Sequence, residues 1–252
     1  DGVEPEYRLA VTERNKTTAK SRLWYDRAES AFDLEIVCRM SQYNEREACN
    51  PIALDASDFN QSASLPYGLQ TNHVYSAMND FLIFLGFVNS QLHTKQIDRL
   101  ESMLMPANFS SIVGEFMCST IPKYCSNIVK NRYHNGHPDL IPATLFPNDA
   151  VQHGPHGIEI KASRYLRAWQ GHNPEDVWLM VFAFDSNRPK DVMPRPFRFV
   201  KVVGAKLSKD DWLFSGRSDT SRRTITASVT ESGYQKMMAN WIYQSSSFQQ
   251  IK

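Results

Sequence analysis

Three charged residues near the middle of the chain have the types and the spacing that metal-assisted chemistry needs: Asp139, Glu159 and Lys161. Glu159 and Lys161 lie in an apolar run, where they alternate with Ile158 and Ile160. Alternate side chains of a β-strand point to opposite faces. We therefore expect the two isoleucines to enter a core, while Glu159 and Lys161 share the other face.

Asp139 is expected beside this strand. If segment 138–141, Pro-Asp-Leu-Ile, forms a neighbouring strand, Asp139 meets Glu159 across the sheet. Two converging carboxylates bind a hard divalent cation, so we predict a site for such an ion between Asp139 and Glu159. Lys161 is expected beside that ion.

The pattern Pro138-Asp139 followed by Glu159-Ile160-Lys161 resembles the catalytic signature of the PD-(D/E)XK nucleases, a superfamily that includes many type II restriction endonucleases. The setting strengthens the resemblance: an N-terminal helical region, a glycine before the Pro-Asp pair, and a second buried strand downstream. The resemblance covers roughly residues 108–243. It implies a Mg²⁺-dependent, site-specific endonuclease that hydrolyses phosphodiester bonds of double-stranded DNA.

The resemblance also implies roles for particular residues. Asp139, Glu159 and Lys161 would be catalytic, with Lys161 positioning or deprotonating the attacking water and stabilising negative charge. Asp139, Glu159 and the Ile160 backbone carbonyl would hold Mg²⁺, for which Mn²⁺ can substitute. Glu115 lies in a predicted helix before the strands, and in this family such a glutamate often joins the metal site; the alternative is a surface glutamate. Two other functions stay open: a repair, nicking or modification-dependent nuclease of the same fold, and a non-catalytic DNA-binding module.

Charge is distributed unevenly along the chain, although the net charge is only +1. Residues 159–252 hold 15 Lys and Arg against 9 Asp and Glu, whereas residues 1–158 hold 13 against 18. The basic half is expected to grip a phosphate backbone. The candidate DNA contacts are the arginines of this half near the motif and in the loop 216–223: Arg164, Arg167, Arg217, Arg222 and Arg223.

Each of these arginines has an ordinary alternative as a solvated surface charge. Gln170 and His172 follow the motif and either orient substrate or cap the turn before Pro174. Cutting both strands of a duplex needs two active sites, and one chain offers one Asp/Glu/Lys set. We therefore expect a homodimer that acts on a palindromic or near-palindromic site.

The elements that must position these residues indicate an α/β fold with a mixed central β-sheet flanked by helices, a restriction-endonuclease-like core. A mainly helical N-terminal region, residues 1–107, is expected to pack on a nuclease core, residues 108–252. The predicted helices cover residues 21–39, 74–92 and 95–105, one that Asn108 caps, and a C-terminal one. That last helix carries an apolar face of Tyr234, Met237, Met238, Trp241 and Ile242.

The remaining predicted elements are strands and one long loop. Strands are expected at 177–184, whose continuous apolar run suits a central strand covered on both faces, at 197–207 and at 224–229. Segment 44–69 is rich in Pro, Asn, Ser and Asp, which favours a loop with short turns and makes it a candidate flap over substrate.

Composition excludes several classes of protein. With 42% apolar and 22% charged residues the chain is typical of a globular domain, and its longest apolar run, residues 81–88, is far below the ~18 residues of a membrane span. No signal peptide opens the sequence, so we expect a cytoplasmic protein without a membrane partner.

The four cysteines lack metal-finger spacing. The histidines near the motif are interpreted as loop residues, with zinc binding as the alternative: His134, His137, His153 and His156.

Overall fold

The computed structural model describes residues 45–171, 176–191, 193–215 and 226–248. The chain divides into two compact units, Asp1–Arg46 and Glu47–Lys252, and nearly all described residues belong to the second. Several predictions fall outside the described residues: the helix at 21–39, His172, and the loop 216–223 with Arg217, Arg222 and Arg223.

A six-stranded mixed sheet forms the centre of the second unit. Its order is β1-β2-β3-β5-β6-β9, in which β3 and β5 pair in parallel and the other neighbours are antiparallel. A second, three-stranded antiparallel sheet has the order β4-β8-β7. The strands are β1 Ile128–Lys130, β2 Leu140–Pro142, β3 Ile158–Ser163, β4 Gln170–Gly171, β5 Val177–Asp185, β6 Arg198–Leu207, β7 Trp212–Ser215, β8 Thr226–Val229 and β9 Trp241–Gln244. The predicted α/β class with a mixed central sheet is confirmed.

Helices lie on both sides of the central sheet. They are α1 Thr71–Thr94, α2 Leu100–Met103, α3 Pro106–Tyr124 and α4 Glu231–Ala239. The apolar stripe predicted for residues 74–92 is the buried face of α1, as at Met78, Phe81 and Leu85. No helix in the described parts of the chain is long and apolar enough to cross a membrane.

Two apolar cores cover the two faces of the central sheet. The first joins α1 and α3 to the sheet, with Met180 and Phe182 of β5 in it, and the second joins α4 and the small sheet to Leu179 and Val181. Because β5 contributes alternate side chains to both cores, its residues 177–184 are all apolar, as predicted. Since α1 shares the first core with the strands, residues 71–107 belong to the same packed body as the rest.

The predicted helix at 95–105 is wrong for most of its length, because only Leu100–Met103 is helical. Gln96 has a φ of 58°, which breaks the helical path after α1. The Leu100 N–H then donates to the Asn89 side chain at 2.9 Å instead of continuing a helix. Asn108 was also expected to cap the next helix, but α3 begins at Pro106, whose missing N–H suits a first helical position, so Asn108 lies inside it.

The C-terminal helix is shorter than predicted. It ends at Ala239, and Trp241 and Ile242 belong to β9, which pairs with β6. The Asn240 side chain fixes the turn between them by donating to the backbone carbonyls of Ser64 at 2.9 Å and Gly204 at 2.7 Å. Pairing with β6 therefore takes two residues that fit the helical spacing into the sheet.

Candidate active site

Strands β2 and β3 form a single backbone pair, Leu140 with Ile158. Beyond that pair, a side chain takes the place of a backbone partner on the edge of β3. Asp139 directly precedes β2, and its Oδ2 accepts a hydrogen bond from the Ile160 N–H at 2.8 Å. The N–H and C=O of a strand residue point to the same edge of the strand. The Ile160 carbonyl therefore lies on the edge that Asp139 occupies, as its predicted role as a ligand requires.

Glu159 lies on β3 beside Asp139 and is only 7% exposed. Lys161 Nζ donates to its Oε1. His137 Nδ1 lies 2.8 Å from its Oε2 and donates to that oxygen. Both oxygens of the buried carboxylate therefore have a donor. The isoleucines that alternate with these residues, Ile158 and Ile160, are buried in the first core, as predicted.

The two carboxyl groups have opposite acidities. Burial and the nearby Glu159 carboxylate raise the pKa of Asp139 to about 7, against the lowering effect of the Ile160 N–H. Burial alone would raise the pKa of Glu159, but the His137 hydrogen bond and the Lys161 charge lower it to about 2. Burial would lower the pKa of Lys161, but attraction to Glu159 outweighs it and raises that pKa. Near neutral pH the protein therefore presents an ionised Glu159, a cationic Lys161 and an Asp139 poised to lose its proton.

Asn131 organises the two loops that flank β2. Its side-chain amide donates to the carbonyls of Pro138 at 3.0 Å and Val151 at 2.8 Å. Its side-chain oxygen accepts from the N–H groups of Tyr133 at 3.0 Å and Val151 at 3.1 Å, and its own N–H donates to the Asp139 carbonyl at 2.8 Å. One buried asparagine thus fixes the backbone on both sides of the Pro-Asp pair.

The turn that enters β3 is fixed as closely. The Gly157 N–H donates to the Tyr67 hydroxyl at 2.8 Å, which ties segment 44–69 to the site. Gly157 has a φ of +146°, and a Cβ there would lie 2.3 Å from the Leu140 carbonyl oxygen, so only glycine fits. Elsewhere this segment pairs with the end of the sheet, since Phe59 bridges to Tyr243. The segment predicted as a flap is therefore attached to the sheet at these points.

Glu115 lies exposed on α3 and pairs with Lys130 of β1, whose Nζ is 2.6 Å from Glu115 Oε2. The buried thiol of Cys118 lies within the field of three carboxylates: burial raises its pKa, and Asp139, Glu115 and Glu159 raise it further. The contact that Glu115 itself makes is with Lys130, at an exposed position of α3.

The site offers few side-chain ligands to a divalent cation. Among the described residues no group of three or more His, Cys, Asp or Glu side chains is arranged to hold a metal. Mg²⁺ commonly takes only one or two carboxylates and completes its shell with other oxygens. Asp139, Glu159 and the Ile160 carbonyl fit that requirement, and the mutual repulsion that raises the pKa of Asp139 would be relieved by a cation.

The arginines predicted to contact DNA have different environments. Arg164 donates to the carbonyls of Ser186 at 2.8 Å and Asn187 at 2.7 Å, and its guanidinium lies over the ring of Phe109. These contacts favour a structural role for Arg164 over a DNA contact. Arg167 is exposed, with its guanidinium 4.9 Å from the centre of the Tyr234 ring. Gln170 is exposed on β4.

Three residues of the site were not selected from the sequence: His137, Asn131 and Tyr67. His137 is one of four histidines near the motif, and its place directly before Pro138-Asp139 is the sequence signal that could have identified it. The roles of Asn131 and Tyr67 depend on how distant segments meet, for which the sequence carries no local pattern.

No protein-family model, curated protein or solved structure matches this chain. The interpretation of the site therefore depends on its geometry and on the signature residues.

Proposed function

We propose that this chain is a Mg²⁺-dependent endonuclease of the PD-(D/E)XK type that cleaves double-stranded DNA at specific sites. The observation that carries the proposal is the proximity of the Asp139 and Glu159 carboxyl groups next to the single pair of β2 with β3. Lys161 donates a hydrogen bond to the Glu159 carboxylate. One buried carboxylate, one half-buried carboxylate and a lysine are costly to place together beside β3, and a cation with a phosphate substrate would account for their presence.

Asp139, Glu159 and the Ile160 carbonyl are the groups that would hold Mg²⁺. When bound, the ion supplies Lewis acidity toward a phosphate oxygen and makes water more acidic. Asp139 must ionise to serve as a ligand, and its raised pKa means that it releases a proton near neutral pH. Glu159 is ionised before the ion arrives.

Lys161 acts as a cation in this proposal. Its raised pKa favours the ammonium form, so it stabilises the negative charge that develops on the phosphate and orients the attacking water. The other role predicted for it, taking a proton from that water, would require a lowered pKa. The contact with Glu159 keeps the ammonium beside the carboxylate that would hold the ion.

The test is a cleavage assay on plasmid DNA with Mg²⁺, comparing the wild type with Asp139→Asn, Glu159→Gln and Lys161→Ala. Each variant should lose about 100-fold or more in cleavage rate, because each removes a group that acts on the transition state. Binding of the same DNA, measured with Ca²⁺ present, should stay close to wild type. Glu231→Gln and Lys206→Ala are the controls. They remove an exposed carboxylate and an exposed ammonium group outside the site and should leave the cleavage rate unchanged. Near wild-type cleavage by any of the three site variants would overturn the assignment.

The products discriminate the related functions. Discrete fragments support a site-specific enzyme of the type II restriction class, whereas nicks or smears support a repair, nicking or modification-dependent nuclease. A mobility shift without cleavage supports a non-catalytic DNA-binding module. The proposed homodimer is tested by sedimentation of the protein bound to a duplex that contains its cleavage site. The mass of the complex should correspond to two chains per duplex.

A further inference from the structure

A histidine outside the signature contacts the carboxylate at its centre. His137 Nδ1 lies 2.8 Å from Glu159 Oε2, and the His137 side chain is 23% exposed. The contact is made at the oxygen that Lys161 does not hold, because Lys161 donates to Oε1. Glu159 is therefore held from both sides by residues of different segments.

The backbone around His137 is fixed before the side chain reaches the site. The His137 N–H donates to the Gln152 carbonyl at 2.9 Å, and the His137 carbonyl accepts from the Gly154 N–H at 2.9 Å. The carbonyl of the next residue, Pro138, accepts from the Asn131 side chain. Three hydrogen bonds thus fix the backbone from which the imidazole reaches Glu159.

We propose that His137 is a positioning residue for the metal ligand Glu159, and this inference rests on the proposed function. A carboxylate oxygen has two lone pairs, so an oxygen that accepts from His137 keeps one to offer a cation. The Nδ1 donor fixes the rotation of the carboxylate against the pull of Lys161 on the other oxygen. Glu159 is thereby aimed at the edge of β3 where Asp139 and the Ile160 carbonyl lie.

The test separates the donor from the bulk of the side chain. His137→Asn keeps a nitrogen donor near the position of Nδ1, whereas His137→Leu keeps a similar volume without a donor. Binding of Mn²⁺ alone to the full chain, without DNA, is measured by electron paramagnetic resonance of the free ion. We expect the leucine variant to bind Mn²⁺ about 10–100-fold more weakly than wild type, as loss of a group that orients a ligand does. The asparagine variant should recover most of that affinity.

The controls keep the two proposals apart. His134→Leu removes an exposed histidine of the same loop and should bind Mn²⁺ like wild type. If wild type binds Mn²⁺ and cleaves DNA while His137→Leu binds equally well, the role of His137 is refuted and the nuclease proposal stands. Equal weakening in the asparagine and leucine variants also refutes it, since the donor would not matter. If wild type neither binds Mn²⁺ nor cleaves DNA, the proposed function itself fails. Should His137→Leu not fold, His137→Ala replaces it.

Discussion

Asp139 and Glu159 show how far neighbours set the chemistry of a side chain. The two carboxyl groups lie side by side in a largely buried place, yet one holds its proton near neutrality and the other does not. The difference follows from donors: Glu159 has a histidine and a lysine, and Asp139 has one backbone amide. Unequal acidities in a carboxylate pair are a feature of sites that do chemistry.

Asp139→Asn should make the metal-free protein more stable at alkaline pH. In wild type the folded state binds the Asp139 proton more tightly than the unfolded chain does, since the pKa rises from 3.8 to about 7 on folding. Folding is therefore favoured at low pH and loses stability as pH rises between these values. Asparagine does not ionise, so the melting temperature of the variant relative to wild type should increase from pH 5 to pH 8 in EDTA.

Exposed Asp98 provides the matched control for that measurement. The melting temperature of Asp98→Asn, relative to wild type, should not change with pH in the same way. A difference between Asp139→Asn and wild type that stays constant from pH 5 to pH 8 would contradict the assigned acidity of Asp139.

At the scale of elements, the loops around β2 depend on one buried asparagine. Asn131→Ala would leave the Val151 and Tyr133 N–H groups and the Pro138 carbonyl without their side-chain partner. Unpaired buried polar groups cost roughly 1–3 kcal/mol each, so we expect a loss of that order in the free energy of unfolding, measured by urea denaturation. Gln152→Ala changes an exposed side chain of the same loops and should cost less than about 0.5 kcal/mol. Equal stability of the two variants would refute the role of Asn131.

Elements whose signal is local were predictable from the sequence. The alternation around Glu159 predicted β3 and the burial of Ile158 and Ile160, and the apolar run at 177–184 predicted a strand covered on both faces. The meeting of Asp139 with Glu159 was predictable from the signature, although β2 begins at Leu140 and Asp139 directly precedes it.

Elements decided by distant partners were not predictable. Trp241 and Ile242 fit a helical stripe, but pairing with β6 makes them a strand. The predicted helix at 95–105 failed because Arg99 is buried in a polar network with Glu101 and Asn187, and the sequence does not reveal that network. The role of His137 was not predictable for the same reason, since the loops that position it meet only in the folded chain.

At the scale of the whole molecule, Phe81 of α1 lies in the first core, where α1 and α3 pack on the central sheet. Its ring contacts those of Phe116 on α3 and Phe199 on β6, and it is fully buried. Phe81→Ala should lower the free energy of unfolding by about 3–5 kcal/mol, seen as a lower urea midpoint with an unchanged slope. Ile83→Ala, on the exposed side of the same helix, should change it by about 0.5 kcal/mol or less. A small effect at Phe81 would contradict the packing described.

The site and the second core share one face of the central sheet. Glu159 and Lys161 are in register with Leu179 and Val181, which pack toward α4 and the small sheet. A DNA strand that reaches the site on this face would pass near α4, where exposed Arg167 lies over Tyr234. We therefore propose Arg167 as a phosphate contact if DNA binds on this face.

Arg167→Ala should weaken DNA binding evenly across sequences and reduce the slope of log affinity against log salt by about 1. The measurement is a titration of two unrelated duplexes at several salt concentrations. Arg188→Ala is the matched control, since it removes an exposed arginine from the connection between β5 and β6. An unchanged salt slope for Arg167→Ala would place the DNA elsewhere.

The hydrogen bond from the Ile160 N–H to Asp139 gives the protein a built-in spectroscopic reporter. An amide proton shared with a carboxyl group changes its chemical shift when that group gains or loses a proton or turns toward an ion. The Ile160 cross-peak in a ¹H–¹⁵N spectrum should therefore titrate with pH and shift again when Mg²⁺ is added. One backbone signal would then follow occupancy of the site in solution, before any substrate is known.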